Sequence, residues 1–168
     1  MKTIRFNTFE TNSSSCHVVT VLSDYEIEQI KNGESLLAIY KSQNEKTIIK
    51  TFDSFRFRYE IERFQFSYDY SKDEPKYIDI PRETMKELCD KIWKLLVEDS
   101  KNPVEHFTDK LDAIFAEYKL DEDFVDSVKS FVGDFAGKSA LDHIFERLQK
   151  YKMPNGDEMN ISCVEMEC

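Results

Sequence analysis

From Met85 to Leu96 the apolar residues recur at intervals of three and four, as Met85, Leu88, Cys89, Ile92, Leu95 and Leu96. A strand changes face at every residue, so a stripe with this spacing has one structural use, the buried face of an amphipathic helix. The spacing returns as Val104, Phe107, Leu111, Ile114, Phe115 and Tyr118. It returns again as Phe124, Val125, Val128, Phe131, Val132 and Phe135, behind the acidic start Asp121-Glu122-Asp123. Asn102-Pro103-Val104-Glu105 reads as the start of the second of these helices, with Asn as cap, Pro in the first helical position and Glu in the third. A further helix is predicted from Ser139 as cap, with Leu141, Ile144, Phe145, Leu148 and Tyr151 buried, ending before Pro154-Asn155-Gly156. About four helices are therefore expected between residues 81 and 152.

The half before Pro81 has a different period. Val18, Val19, Val21 and Leu22 form a β-branched run read as a strand buried on both faces, central in a sheet. Ser23-Asp24-Tyr25-Glu26 is a capping box opening a helix over about 24 to 32, with Gly33 as its left-handed stop. Leu36 to Tyr40 and Thr47 to Phe52 flank the polar turn Lys41 to Lys46 and predict a hairpin. Phe55, Phe57, Tyr59 and Ile61 then alternate on one parity, and Phe64, Phe66, Tyr68 and Tyr70 on the other. Strict alternation predicts two strands, or one bulged strand, with the switch at Glu62-Arg63 and a loop over Ser71 to Lys76. Met159 to Met166 reads as a closing strand that returns to the N-terminal one. The expected class is α+β, a mostly antiparallel sheet packed with the helical cluster in one domain over 1–168. A soft subdivision runs 1–80, 81–152 and 157–167.

Lys and Arg number 23 against 33 Asp and Glu, a net charge of −10 that disfavours a broad phosphate-binding face and leaves room only for a local basic patch. Cys16, Cys89, Cys163 and Cys168 have no framework spacing and are read as reduced thiols. Neither the hydrophobic core of a signal peptide nor a run of about 18 apolar residues is present, so a soluble cytoplasmic protein without membrane contact is expected. No cofactor or resident metal is expected. Cys16, His17, Cys163 and Cys168 do not have zinc-knuckle spacing.

Chemistry-bearing residues concentrate just before the first strand, at Glu10, Asn12, Ser13, Ser14, Ser15, Cys16 and His17. One reading is a turn in which Asn and Ser side chains bond the local backbone. The other is an anion pocket formed by hydroxyls and turn amides, the site of an enzyme or sensor for a nucleotide or another phosphorylated ligand. The segment is no P-loop, lacking Gly and Lys and preceding a strand. Neighbours on a strand face opposite ways, which disfavours a Cys16-His17 dyad. Ser15 with His17 would need a third group such as Glu10 or Glu165. Phe55, Arg56, Phe57, Arg58 and Tyr59, with Arg63 beyond, interleave aromatic and basic residues as a single-strand nucleic-acid platform does. The simpler account is aromatic residues facing a core and charged ones facing water. Asp121 to Asp126 with Glu117 is an acidic patch, read either as a solvated helix start or as a mimic of nucleic acid.

The run Phe9-Glu10-Thr11-Asn12-Ser13-Ser14-Ser15-Cys16-His17 resembles an N-terminal signature, Phe-Glu-Thr-Asn-Ser-Ser-Ser-x-His, of small uncharacterised proteins of bacteriophages and other bacterial mobile elements. The resemblance extends over about the first thirty-five residues, through the strand and the acidic helix ending at Lys31-Asn32-Gly33-Glu34, and leaves the helical half uncovered. Cys16 stands where Thr or Ser is usual, which argues against an essential hydroxyl there. The resemblance implies a mobile-element product in a bacterial cytoplasm and nominates Glu10, Asn12, Ser13, Ser14, Ser15 and His17. With no complete catalytic set, the expected function is a non-enzymatic accessory protein that binds a host or phage macromolecule, a protein partner first, and modulates host processes or defence.

Overall fold

The computed structural model describes residues 15–41, 47–69, 72–102, 104–135 and 147–167. In chain order the elements are β1 (Ser15–Leu22), α1 (Asp24–Lys31), β2 (Ser35–Lys41), β3 (Thr47–Asp53), α2 (Ser54–Arg63), β4 (Phe66–Asp69), β5 (Glu74–Tyr77), α3 (Arg82–Lys101), α4 (Phe107–Ala116), α5 (Glu122–Gly133), β6 (Gln149–Lys152) and β7 (Glu158–Glu167). The fold is α+β, as the change of period predicts. The chain forms two compact units, Met1–Thr51 with Gly137–Cys168, and Phe52–Ala136. The division falls at residue 52 and not at the change of composition near Pro81. Among the described residues no helix is long and apolar enough to cross a membrane.

In the first unit β7 pairs antiparallel with β1 from Ser15↔Glu167 to Leu22↔Asn160, and on its other side with β6 from Gln149↔Ile161 to Lys152↔Glu158. The closing strand does return to the N-terminal one, but β7 takes the middle of the order β1-β7-β6 and β1 lies beside it. Hydrophobicity gives the burial of a strand and leaves its neighbours open, so the apolar run of β1 does not determine that it is central. The capping box holds: Glu26 N donates to Ser23 Oγ at 3.2 Å and Ser23 N donates to Glu26 Oε2 at 2.8 Å. At the other end of α1, Gly33 has φ of 75° and its N–H donates to Ile30 O, while Glu34 N donates to Gln29 O. These two bonds are the Schellman pattern that glycine permits.

Leu22 and Leu37 are buried together, with Ile27, Ile30, Ile49 and Leu148 packed against them. Asp24, the first residue of α1, accepts from Asn160 Nδ2 at 2.8 Å and from Lys150 Nζ at 3.1 Å, tying the helix start to β7 and β6. These bonds hold the Asp24 carboxyl below its ordinary range and the Lys150 amine above its own. β6 corrects the reading of a last helix through Tyr151: Gln149 to Lys152 are all exposed and extended. Ser139, Leu141, Ile144 and Phe145 lie outside the described residues. β2 pairs with β3 as the hairpin reading requires.

The second unit holds the largest departure from expectation. Residues 54–63 form a helix, not strands. Asp53 closes its start, accepting from Arg56 N through Oδ1 at 2.7 Å. Phe57 and Ile61, one turn apart, are fully buried, whereas Phe55 and Tyr59 are 69% and 55% exposed. Every second residue of a helix falls alternately on its two sides, so the run Phe55, Phe57, Tyr59, Ile61 fits both periods. The parity switch at Glu62-Arg63 is where the helix ends, with Phe64 as its C-cap. The Ser71 to Lys76 loop is shorter than read, because β5 pairs with β4 from Phe66↔Tyr77 to Asp69↔Glu74.

α3 buries the six residues of the predicted stripe, Met85, Leu88, Cys89, Ile92, Leu95 and Leu96. Asn102-Pro103, read as a helix start, instead marks a stop. α3 runs on to Lys101, and Asn102 is its C-cap, extended at φ −145° and ψ 130° as a residue before proline must be. α4 starts only at Phe107, after His106 in the left-handed conformation at φ 56°. In α5 the acidic start works as expected, Asp121 Oδ1 accepting from Asp123 N at 3.1 Å. The unit's core is aromatic. Phe57 lies 5.3 Å from Trp93, 5.7 Å from Phe131 and 5.5 Å from Phe135 between ring centres, and Phe52 lies 5.4 Å from Phe135.

Candidate functional site: the α2 face and the α2–α3 cleft

Glu10, Asn12, Ser13 and Ser14 lie outside the described residues. Ser15 and His17 belong to β1, where the register sets them opposite Glu167 and Glu165. Glu165 is thus the carboxylate-bearing position nearest to His17 across the ladder. Cys16 pairs with Met166 and Cys163 with Val19, three positions apart. That separates their backbones by about 10 Å along the strand and does not assemble the Cys16–Cys163 pair.

α2 redistributes the aromatic-basic run. Phe57 is inside and offers nothing to a ligand. Phe55 and Tyr59 form an exposed aromatic strip one turn long. Arg58 lies over the Phe55 ring at 5.7 Å and pairs with Glu62 at 3.6 Å, Arg63 pairs with Glu60 at 3.0 Å, and Arg56 stacks 4.5 Å over Phe52. A guanidinium held over a ring retains its in-plane donors, so Arg56 and Arg58 are still able to bond. Phe66 and Tyr77, cross-strand partners in the β4–β5 hairpin, are also exposed, at 64% and 63%.

α2 packs on α3, and the two enclose a cleft of about 310 Å³ lined by Arg58, Glu62, Arg82, Glu83 and Lys86. Arg82 and Lys86 are i and i+4 on α3, neighbours on one ridge of the helix. Among the described residues neither makes an ion pair, while Glu62 is taken by Arg58. Arg82 and Lys86 were not singled out by sequence. The signal that would have found them is a like-charged i, i+4 pair opening a helix, where the dipole favours anions. Cys89, in the next turn of α3 and 2% exposed, has its thiol pushed up to about 12, first by burial and then by the Glu62 carboxylate. It is a core residue and no nucleophile.

This thiol titrates near 9.0 unperturbed, so the native state binds its proton more tightly than the unfolded state between about pH 9 and 12. Its contribution to stability is complete below pH 9 and is lost as pH rises through that window. The stability gap between wild type and Cys89→Ala is expected to close by about 1.4 kcal/mol per pH unit above 9. Parallel denaturant titrations from pH 8 to 10.5 measure it, and a gap independent of pH would contradict the buried thiol.

The acidic patch is partly engaged. Lys76 Nζ binds Asp121 Oδ2 at 2.6 Å and approaches Asp123 at 3.9 Å, holding the Asp121 carboxyl below its ordinary range. A second cleft, of about 280 Å³, runs from Ile78 and Pro81 to Tyr118 and Asp121 and is mixed in charge. Among the described residues no group of His, Cys, Asp and Glu could hold a metal ion. Comparison with protein-family models, with curated proteins and with solved structures finds no match for the chain.

Proposed function

We propose that this protein is an accessory protein of a bacteriophage or other bacterial mobile element, acting in the bacterial cytoplasm by binding a protein partner through α2. The origin rests on the resemblance of Phe9 to His17. The binding rests on one observation, that Phe55 and Tyr59 stand 69% and 55% exposed one turn apart on α2, with Arg58 against Phe55. Tyr, Phe and Arg are the residues enriched where partners bury surface, and rigid rings lose little entropy on contact. The partner suited to this face presents an apolar groove for the two rings and carboxylates for Arg56, Arg58 and Arg63. A polynucleotide is disfavoured by the net charge of −10.

Affinity capture from bacterial lysate with wild type and with the Phe55→Ser, Tyr59→Ser variant tests this. One dominant protein is expected with wild type, and the purified pair should weaken roughly 10- to 1,000-fold in the variant, the range for loss of two central aromatic residues. A blank with every lysate, or equal capture by the variant, would refute it. Salt-sensitive retention on single-stranded DNA would replace it with the nucleic-acid reading.

A further inference from the structure

We infer that the α2–α3 cleft binds the phosphate groups of a small phosphorylated molecule. Three cations line it, Arg58 from α2 with Arg82 and Lys86 from α3, against the carboxylates of Glu62 and Glu83. The cationic majority of this lining is opposite in sign to the chain's net charge of −10. The arrangement also carries an electrostatic cost. Arg82 and Lys86 repel each other along one ridge of α3 and lack ion-pair partners among the described residues, and Arg82 opens the helix, where the dipole disfavours a cation. Such a cost is removed by an anion held between them.

The chemistry favours phosphate over a single carboxylate. Arg58 and Arg82 offer planar forks of donors, Lys86 a compact third charge, and a phosphate group has oxygens enough for all of them. The cleft volume of about 310 Å³ exceeds what one phosphate needs, so a diphosphate or a nucleotide fits its size. The cleft shares Arg58 with the proposed partner surface, but Arg82 and Lys86 are on α3 and not on α2, so their double variant tests the cleft alone.

The full chain titrated with inorganic pyrophosphate at constant ionic strength, by calorimetry and by thermal shift, tests it. Saturable binding and a raised melting temperature are expected. Arg82→Gln with Lys86→Gln should weaken binding at least about tenfold. The unliganded double variant should melt no lower than wild type, because it loses a repulsion, so loss of fold cannot imitate loss of ligand. No binding beyond that of a sodium chloride control, equal binding by the double variant, or equal binding of citrate would overturn the proposal. Loss of binding in His17→Ala with the cleft intact would also overturn it, moving the site to the N-terminal segment. Failure here with retained partner capture, or the reverse, separates this proposal from the function proposed above.

Discussion

Replacing Phe57 with alanine is expected to cost about 3–5 kcal/mol of stability, the range for removing a fully buried aromatic ring. Phe57 has no exposed surface and packs against Trp93, Phe131 and Phe135 at ring-centre distances of 5.3 to 5.7 Å. Its removal takes away the transfer energy of the ring and leaves a void that three large aromatic neighbours fill only in part. Phe55→Ala, two residues earlier, is expected to stay within about 0.5 kcal/mol of wild type, because that ring stands in solvent. The contrast decides the structure of the segment. In a strand both rings share the core face and the two variants cost alike; in a helix they separate. Trp93 is the single tryptophan of the chain and sits against Phe57, so its fluorescence during guanidinium unfolding reports on this unit. Equal costs at the two positions would restore the strand.

Leu37→Ala is the corresponding expectation for the first unit, with a loss of about 2–5 kcal/mol. Leu37 is 1% exposed and meets Leu22, with Ile27 and Ile30 of α1, Ile49 of β3 and Leu148 packed against the pair. Residues far apart in sequence converge on this cluster, and the removed side chain takes away contacts that join them. Tyr25→Ala on α1, at a residue 68% exposed, serves as the control and should shift stability by less than about 0.5 kcal/mol. Trp93 lies in the other unit, so amide hydrogen exchange across Ser35–Lys41 is the appropriate measurement. Exchange there should quicken in Leu37→Ala and remain unchanged in Tyr25→Ala. Unchanged exchange in Leu37→Ala would mean that this cluster does not stabilise the unit.

The loss at Phe55 and Tyr59, expected to disrupt the proposed partner binding, is thus separable from the loss at Phe57, expected to disrupt the fold, although the three residues alternate within five positions. That separation bears on the function. On α2, Phe57 and Ile61 anchor the helix to the core, and the same backbone presents Phe55, Tyr59 and the arginines outward. Under the proposed function the anchored side supports the side that meets the partner, which lowers the entropy lost on binding.

Where local chemistry is decisive, the residues alone determined the outcome. Ser23 with Glu26 and Gly33 placed α1 to within a residue, because capping hydroxyls and left-handed glycines act over one turn. The stripe of α3 was read residue for residue, since a twenty-residue helix carries enough turns to average out exceptions. Tertiary structure decided the rest. A period of two in Phe55 to Ile61 is compatible with both helix and strand, and the choice fell to the packing of Phe57 against Trp93, Phe131 and Phe135, which Phe55 does not share. Asn102-Pro103 restricts the backbone in the same way whether a helix ends or begins there, and the continued burial of α3 through Leu96 made it an end. The α2–α3 cleft was invisible for a related reason: Arg58 and Arg82 are twenty-four positions apart, and only the packing of two helices makes their charges neighbours.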